Sequence, residues 1–270
     1  MFGDDYKSNM KISIVLLVSI WLICFNNPVW GEDFYLDSPR NKGILRLEID
    51  NDIIWNRDSN FSNGWSLQYH TAAYANWEET EMPGFIEWVG KHFPTLDNED
   101  SIVRNGQGIG QNMITPGDLT AAVPKEGDLP YAGTLTYTLN WQSFNRYKAR
   151  NFQMSLGVLG EESMAAEFQK FVHDNLGGSV NPQGWDTQRE TEPIVNFGYE
   201  HSWRVAHMGN YLNDWGGQLT VTPSASFGNL ITGLEAGLAL RFGWNILEGF
   251  NTYPAPPGRG FFPDPRLESL

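Results

Sequence analysis

Between residues 131 and 142 the chain changes character at every step. Tyr131, Gly133, Leu135, Tyr137, Leu139 and Trp141 alternate with Ala132, Thr134, Thr136, Thr138, Asn140 and Gln142. Successive side chains of a β-strand point to opposite faces, so this period of two sorts an apolar and aromatic set from a polar set. A helix would scatter both sets around its axis. The same period recurs along the chain. Leu45, Leu47 and Ile49 oppose Arg46, Glu48 and Asp50, and Trp65, Leu67 and Tyr69 oppose Ser66, Gln68 and His70. Phe152, Met154, Leu156 and Val158 oppose Gln153, Ser155 and Gly157, and Val195, Phe197, Tyr199, His201 and Trp203 oppose Asn196, Gly198, Glu200 and Ser202. Residues 218–224 alternate too, and in 232–243 Leu234, Ala236, Leu238, Leu240 and Phe242 oppose Gly233, Glu235, Gly237, Ala239 and Arg241. The fold class predicted is all-β and antiparallel, with about eight strands countable.

A soluble sandwich alternates in the same way. Three features favour a transmembrane β-barrel instead. Several runs approach the ~9–11 residues that a tilted membrane-spanning strand needs. Their polar faces carry Thr, Asn, Gln, Glu and Arg, which suits a wet lumen. Aromatics stand near strand ends at Trp65, Tyr131, Trp141, Trp203 and Trp244, where interfacial girdles are expected. Two segments read as helical. In residues 85–93, Phe85, Trp88, Val89 and His92 fall at helical spacing. In residues 161–176, Met164, Phe168, Phe171, Val172 and Leu176 form an apolar stripe, and this second helix is predicted to lie on the barrel rim or wall.

Residues 1–31 have the layout of a secretory signal peptide. Lys7 and Lys11 precede a short apolar core, and a polar segment ends at Gly31, the expected cleavage point, with Met10 an alternative start. The core is short for a membrane-spanning helix. Residues 32–270 are then the barrel domain. Cys24 is the only cysteine and lies in the leader, so the mature chain is expected to lack disulfides, a cysteine nucleophile and thiolate metal ligands. The net charge is −14 and no basic patch interleaves with aromatics, which argues against nucleic acid. The acidic balance suits divalent cations bridging the protein to anionic lipid.

Residues 50–65 join two alternating runs through Asp50, Asn51, Asp52, Asn56, Asp58, Ser59, Asn60, Ser62 and Asn63. Such residues build hairpin turns. They also make a polar catalytic cluster at a barrel rim, and both readings stand on the residues alone. Four ordered stretches add to this one. They are Asn51-Asp52 with Phe61-Ser62-Asn63-Gly64; Gly110-Gln111-Asn112-Met113-Ile114-Thr115-Pro116; Gly127-Asp128-Leu129-Pro130-Tyr131-Ala132-Gly133; and Gly160, Glu167, Gln169 and His173 followed by Pro182-Gln183-Gly184-Trp185-Asp186-Thr187-Gln188 and Glu192-Pro193. In order and spacing the chain resembles the outer-membrane lipid A 3′-O-deacylases of the LpxR type, from about Leu45 to about Gly243.

The resemblance implies a twelve-stranded barrel with a helical extracellular loop, inserted in the outer membrane by the barrel-assembly machinery. It also implies hydrolysis of the 3′-linked acyloxyacyl ester of lipid A in lipopolysaccharide, and dependence on Ca²⁺. By position, His173 becomes the general base, a role that suits an imidazole. Asn51 and Asp52 become the residues that bind the cation or orient water, and Ser62 adds a hydroxyl to the same network. Trp185, Asp186 and residues 128–131 read as structural anchors. A glutamate that some members carry after the histidine is absent here, where Asp174 follows, and Lys125 is the nearest lysine after residues 111–116. Residues 253–265 carry five strand-breaking prolines, Pro254, Pro256, Pro257, Pro263 and Pro265, so the barrel is expected to be incomplete at its C-terminus, with an extracellular loop there. A non-enzymatic or inactive barrel is the alternative function. An outer-membrane phospholipase is a weaker one, since no Gly-x-Ser-x-Gly element is present.

Overall fold

The computed structural model describes residues 43–51, 63–80, 82–96, 101–176, 182–209, 214–244 and 250. Eight antiparallel strands follow one another in a single sheet, each hydrogen-bonded to its sequence neighbours. They are β1 Ile44–Asn51, β2 Asn63–His70, β3 Ile102–Ile114, β4 Ala132–Phe144, β5 Lys148–Leu159, β6 Glu192–Met208, β7 Trp215–Gly228 and β8 Gly233–Trp244. This all-next-neighbour meander is the connectivity of an up-and-down barrel. The described strands form about the eight predicted, and none of the described helices is long and apolar enough to cross a membrane.

Burial is inverted relative to a water-soluble sheet. On one face Ser66, Gln68, His70, Arg104, Asn140, Asn151, Ser202, Arg204, Gln218 and Thr220 are buried, and Arg104 is 0% exposed. On the other face Leu47 is 64% and Leu238 52% exposed, with Leu67, Ile109, Tyr137, Leu156, Val195, Leu234 and Leu240 also open. In water this arrangement would leave a broad apolar belt unsheltered. Around a barrel wall it is what lipid requires, polar residues facing the lumen and apolar ones the bilayer.

β3 is the strand that alternation does not announce. Its lumen face carries Gly106, Gly108 and Gly110, which register against His70, Gln68 and Ser66 of β2. A Cβ on Gly106 would stand 2.5 Å from His70 Nδ1, and one on Gly108 2.9 Å from Gln68 Cγ. The glycines leave room for the polar side chains of β2, and that removes the hydrophobic contrast a sequence reading depends on.

The connections separate the two ends of the sheet. Two short links, residues 145–147 and 209–214, lie at one end, together with the long link 71–101 that carries a helical segment. The long links 115–131 and 160–191 lie at the other, with the short link 229–232. Outer-membrane barrels carry short periplasmic turns and longer extracellular loops, which orients the wall. The strand before residues 245–270 runs toward the short-turn end. The expected extracellular loop at 253–265 lies outside the described residues, as does the leader.

Two helical segments lie on the lipid-facing side of the wall. Near the short-turn end a 3₁₀ turn, Trp77–Thr80, and helix α1, Gly84–His92, cover Val103, Leu139 and Trp141. Trp141 Nε1 donates to the Ile86 carbonyl at 2.8 Å. Trp141 and Tyr131 are therefore packed under loops and do not form an interfacial girdle, contrary to expectation. Trp215 and Trp244 are exposed, edge to face at 6.2 Å, as a girdle pair would be. At the long-loop end lies helix α2, Ala165–Leu176, on the wall as predicted.

Candidate functional site

Helix α2 is held against the wall from its first turn. Gly160 adopts φ 101°, a backbone region that glycine enters without strain, and its N–H donates to the Gly133 carbonyl at 2.9 Å. The 3₁₀ turn Glu161–Ser163 follows, and Met164, at φ 57°, redirects the chain into α2. Gly133 on β4 admits the helix. A Cβ there would stand 2.3 Å from both the Ala165 Cβ and Ser163 Oγ. Gln111 on β3 clamps the same turn, its Nε2 donating to the Ser163 carbonyl at 2.6 Å while its Oε1 accepts from Trp65 Nε1 at 2.9 Å.

The predicted apolar stripe of this helix is partly corrected. Met164 and Phe171 are exposed, and the wall-facing positions are Ala165, Gln169 and Val172 with Phe168 beside them. Small or polar residues are used because the wall approaches closely at Gly133. Beneath them Met113, Leu119, Tyr131, Ala165 and Trp185 form a buried cluster, with Tyr131 and Trp185 rings 5.1 Å apart. Trp185 and Tyr131 thus anchor the loop, as read from sequence. Asp128 is structural too, accepting from the Gly117 and Leu129 N–H groups.

The helix begins over Gly133 of β4, and Phe168 reaches Trp65 of β2 with ring centroids 6.0 Å apart. It therefore crosses the strands in the direction of β1. His173 lies beyond Phe168 on that course. It is half-buried, and its Nδ1 is sealed from solvent with no hydrogen-bond partner among the described residues. One turn earlier, Gln169 is buried, accepts through Oε1 from Trp185 Nε1 at 2.8 Å, and keeps a buried Nε2 without a partner. Two polar atoms on one flank of one helix are thus left for something else to satisfy. Sequence reading placed Gln169 in a motif but assigned it no role. The signal that finds it is its position four residues before His173, on the same helical face.

Asn51 is the last residue of β1 and registers against Asn63, two residues beyond the pair Ile49 and Trp65. It belongs to the corner of the sheet toward which α2 runs. Asp52 and Ser62 lie outside the described residues. Asp174, which follows the histidine where some members carry the glutamate, is exposed. Lys125 is an exposed loop tie, 3.0 Å from Asp118 Oδ2. Thr120 and Lys125 hold the Asp118 carboxyl down to about 2 by hydrogen bonding. Ca²⁺ takes about 6–8 oxygen ligands. No group of three histidine, cysteine or carboxylate side chains gathers among the described residues, and the expected cation residues are Asn51, at their edge, and Asp52, outside them.

A polar-lined, lipid-coated antiparallel meander with a helical loop clamped to its outer wall defines a class, the transmembrane β-barrel proteins. Comparison with known proteins gives the family. The family described as "Outer membrane protein LpxR" matches residues 15–268, and the chain belongs to it. It is an outer-membrane protein. Among solved structures, LpxR from Salmonella typhimurium has a similar fold, with a TM-score of 0.58 and 16% identity over 78% of this chain and 67% of that one. No curated protein sequence matches significantly.

Proposed function

We propose that the chain is an ester hydrolase of the outer membrane that removes the 3′-linked acyloxyacyl group of lipid A. Family membership supports the class of reaction. The observation that carries it is the position of His173, on a helix clamped to the lipid-facing wall, with one ring nitrogen sheltered and unpartnered among the described residues. A lipid ester reaches such a site laterally from the bilayer, without entering the lumen.

In this reading His173 accepts a proton from water, and the water oxygen attacks the ester carbonyl carbon. The bond from that carbon to the sugar 3′ oxygen then breaks. The proton passes to the departing oxygen, leaving a free hydroxyl on lipid A and a free acid. The unpartnered Nε2 of Gln169 supplies a donor to the carbonyl oxygen as negative charge develops there. Trp185 fixes the orientation of that amide through its bond to Oε1. Asn51, Asp52 and Ser62, carried over from the family resemblance, complete the proposed network and orient the water. Calcium remains a proposal of the family resemblance, and no step here runs through it.

Mass spectrometry of lipid A from outer membranes containing the chain tests the reading, beside the His173→Ala variant. Loss of the acyloxyacyl mass in the unmutated sample alone is expected. The variant should insert equally well, seen as unchanged heat-dependent mobility on gels. Cleavage that persists in His173→Ala would remove the histidine from this role.

A further inference from the structure

Helix α1 carries more apolar surface than the wall can use. At about 100° per residue, Val89, Ile86 and Gly90 span an arc of about 100°. Ile86 and Gly90 are buried against Trp77 and the wall. Phe85, Trp88 and His92 occupy a second arc of about 60° that adjoins the first on one side. Phe85 is 54% and Trp88 61% exposed, and Trp88 stacks on His92 at 4.9 Å. Glu87 and Lys91 fall on the other side, where Lys91 pairs with Glu78 at 2.6 Å and Glu87 at 3.4 Å. The helix therefore has three sectors, one against protein, one charged and one apolar but uncovered. The sequence spacing of Phe85, Trp88 and His92 marks the open flank and not the core stripe.

The surroundings say what covers that flank. The residues beneath α1 are Leu139, Trp141, Phe152 and Met154, all on the outward face. That face continues along the same strands to Tyr137 and Leu156, and across to Phe197 of β6, which are open to lipid. Phe93, at the end of α1, stacks on Phe152 at 4.2 Å and touches Tyr199. The helix thus sits on the lipid-facing wall at the short-turn end, continuous with the belt. Tryptophan and phenylalanine beside a charged sector are the composition of an interfacial helix.

We propose that α1 is an interfacial anchor whose Phe85–Trp88–His92 flank inserts at the headgroup–acyl boundary of the phospholipid leaflet on the periplasmic side. Its charged sector stays in water, and no cation is left over to require anionic lipid. The helix then fixes the depth of the wall in the membrane from the end opposite α2. The proposal rests on the membrane fold and not on the catalytic reading.

The single cysteine, Cys24, makes the test direct. In a Cys24→Ser background, nitroxide labels are placed by Phe85→Cys or Trp88→Cys in the full chain, reconstituted in phosphatidylethanolamine–phosphatidylglycerol vesicles. Leu240→Cys serves as the lipid reference and Glu79→Cys as the water reference. Relaxation by oxygen should exceed relaxation by a nickel chelate at both test positions, as at Leu240. Chelate accessibility at either position equal to that at Glu79 overturns the proposal. Immobilised labels shielded from both reagents also overturn it, since they would mark a protein partner. Both positions are exposed, so neither substitution disturbs the packing of α1 on the wall.

Discussion

Gln111 shows how much one side chain can hold. It sits on the lipid-facing side of β3, where an amide would be costly if unpaired. Both its ends are used, one by Trp65 and one by the Ser163 carbonyl. Gln111→Ala leaves two polar groups without their partner at a cost of about 1–3 kcal/mol. The loss is local to the start of α2. Hydrogen exchange across residues 160–176 should rise and esterase activity should fall, while the mobility of the unheated barrel on gels stays the same. Unchanged exchange would mean that Gly133 and Gly160 hold the turn alone. His173 differs in kind, since its Nδ1 contributes no bond among the described residues and its replacement is expected to alter chemistry rather than folding.

At the scale of the element, both helices lie on the wall by close approach, through different devices. α1 uses aromatic bulk, with Trp77, Trp141 and Ile86 interlocked. α2 uses an absence of bulk, because Gly133 leaves the space that Ala165 and Ser163 fill. Gly133→Ala should push α2 off the wall, at a cost of about 1–3 kcal/mol from overpacking. Ala165→Gly in the same chain should recover part of the lost activity, because the two carbons compete for one space. A double variant no better than Gly133→Ala would place the strain on Ser163 instead.

For the whole molecule the inverted faces decide stability. Leu238 lies midway along β8 on the lipid side. Leu238→Arg should cost about 2–4 kcal/mol in bilayer unfolding, as for a charge near the membrane midplane. Ser226→Asn, on the lumen side of β7, should stay within about 0.5 kcal/mol. Equal effects at the two positions would contradict the assignment of faces. The same inversion places α2 and His173 where lipid arrives from the side.

Much of this is written in alternation. Leu45, Leu47 and Ile49 against Arg46 and Glu48 separate two environments without reference to any other strand, because a strand's side chains alternate whatever surrounds them. The type of each helix is equally local. What alternation leaves open is which face meets what. Trp141 and Tyr131 stand at strand ends like girdle residues, yet loops from elsewhere in the chain bury them. Phe85 and Trp88 are spaced like a core stripe and face outward, while Gln169 and Gly133, quoted only as motif positions, lie between α2 and the wall. β3 escapes notice because its glycines make sense only beside His70, Gln68 and Ser66. Period and propensity are properties of neighbours in sequence, and they determined the helices and every strand but β3, while the candidate histidine came from the family resemblance. Coverage is a property of neighbours in space, and only the tertiary structure decided it.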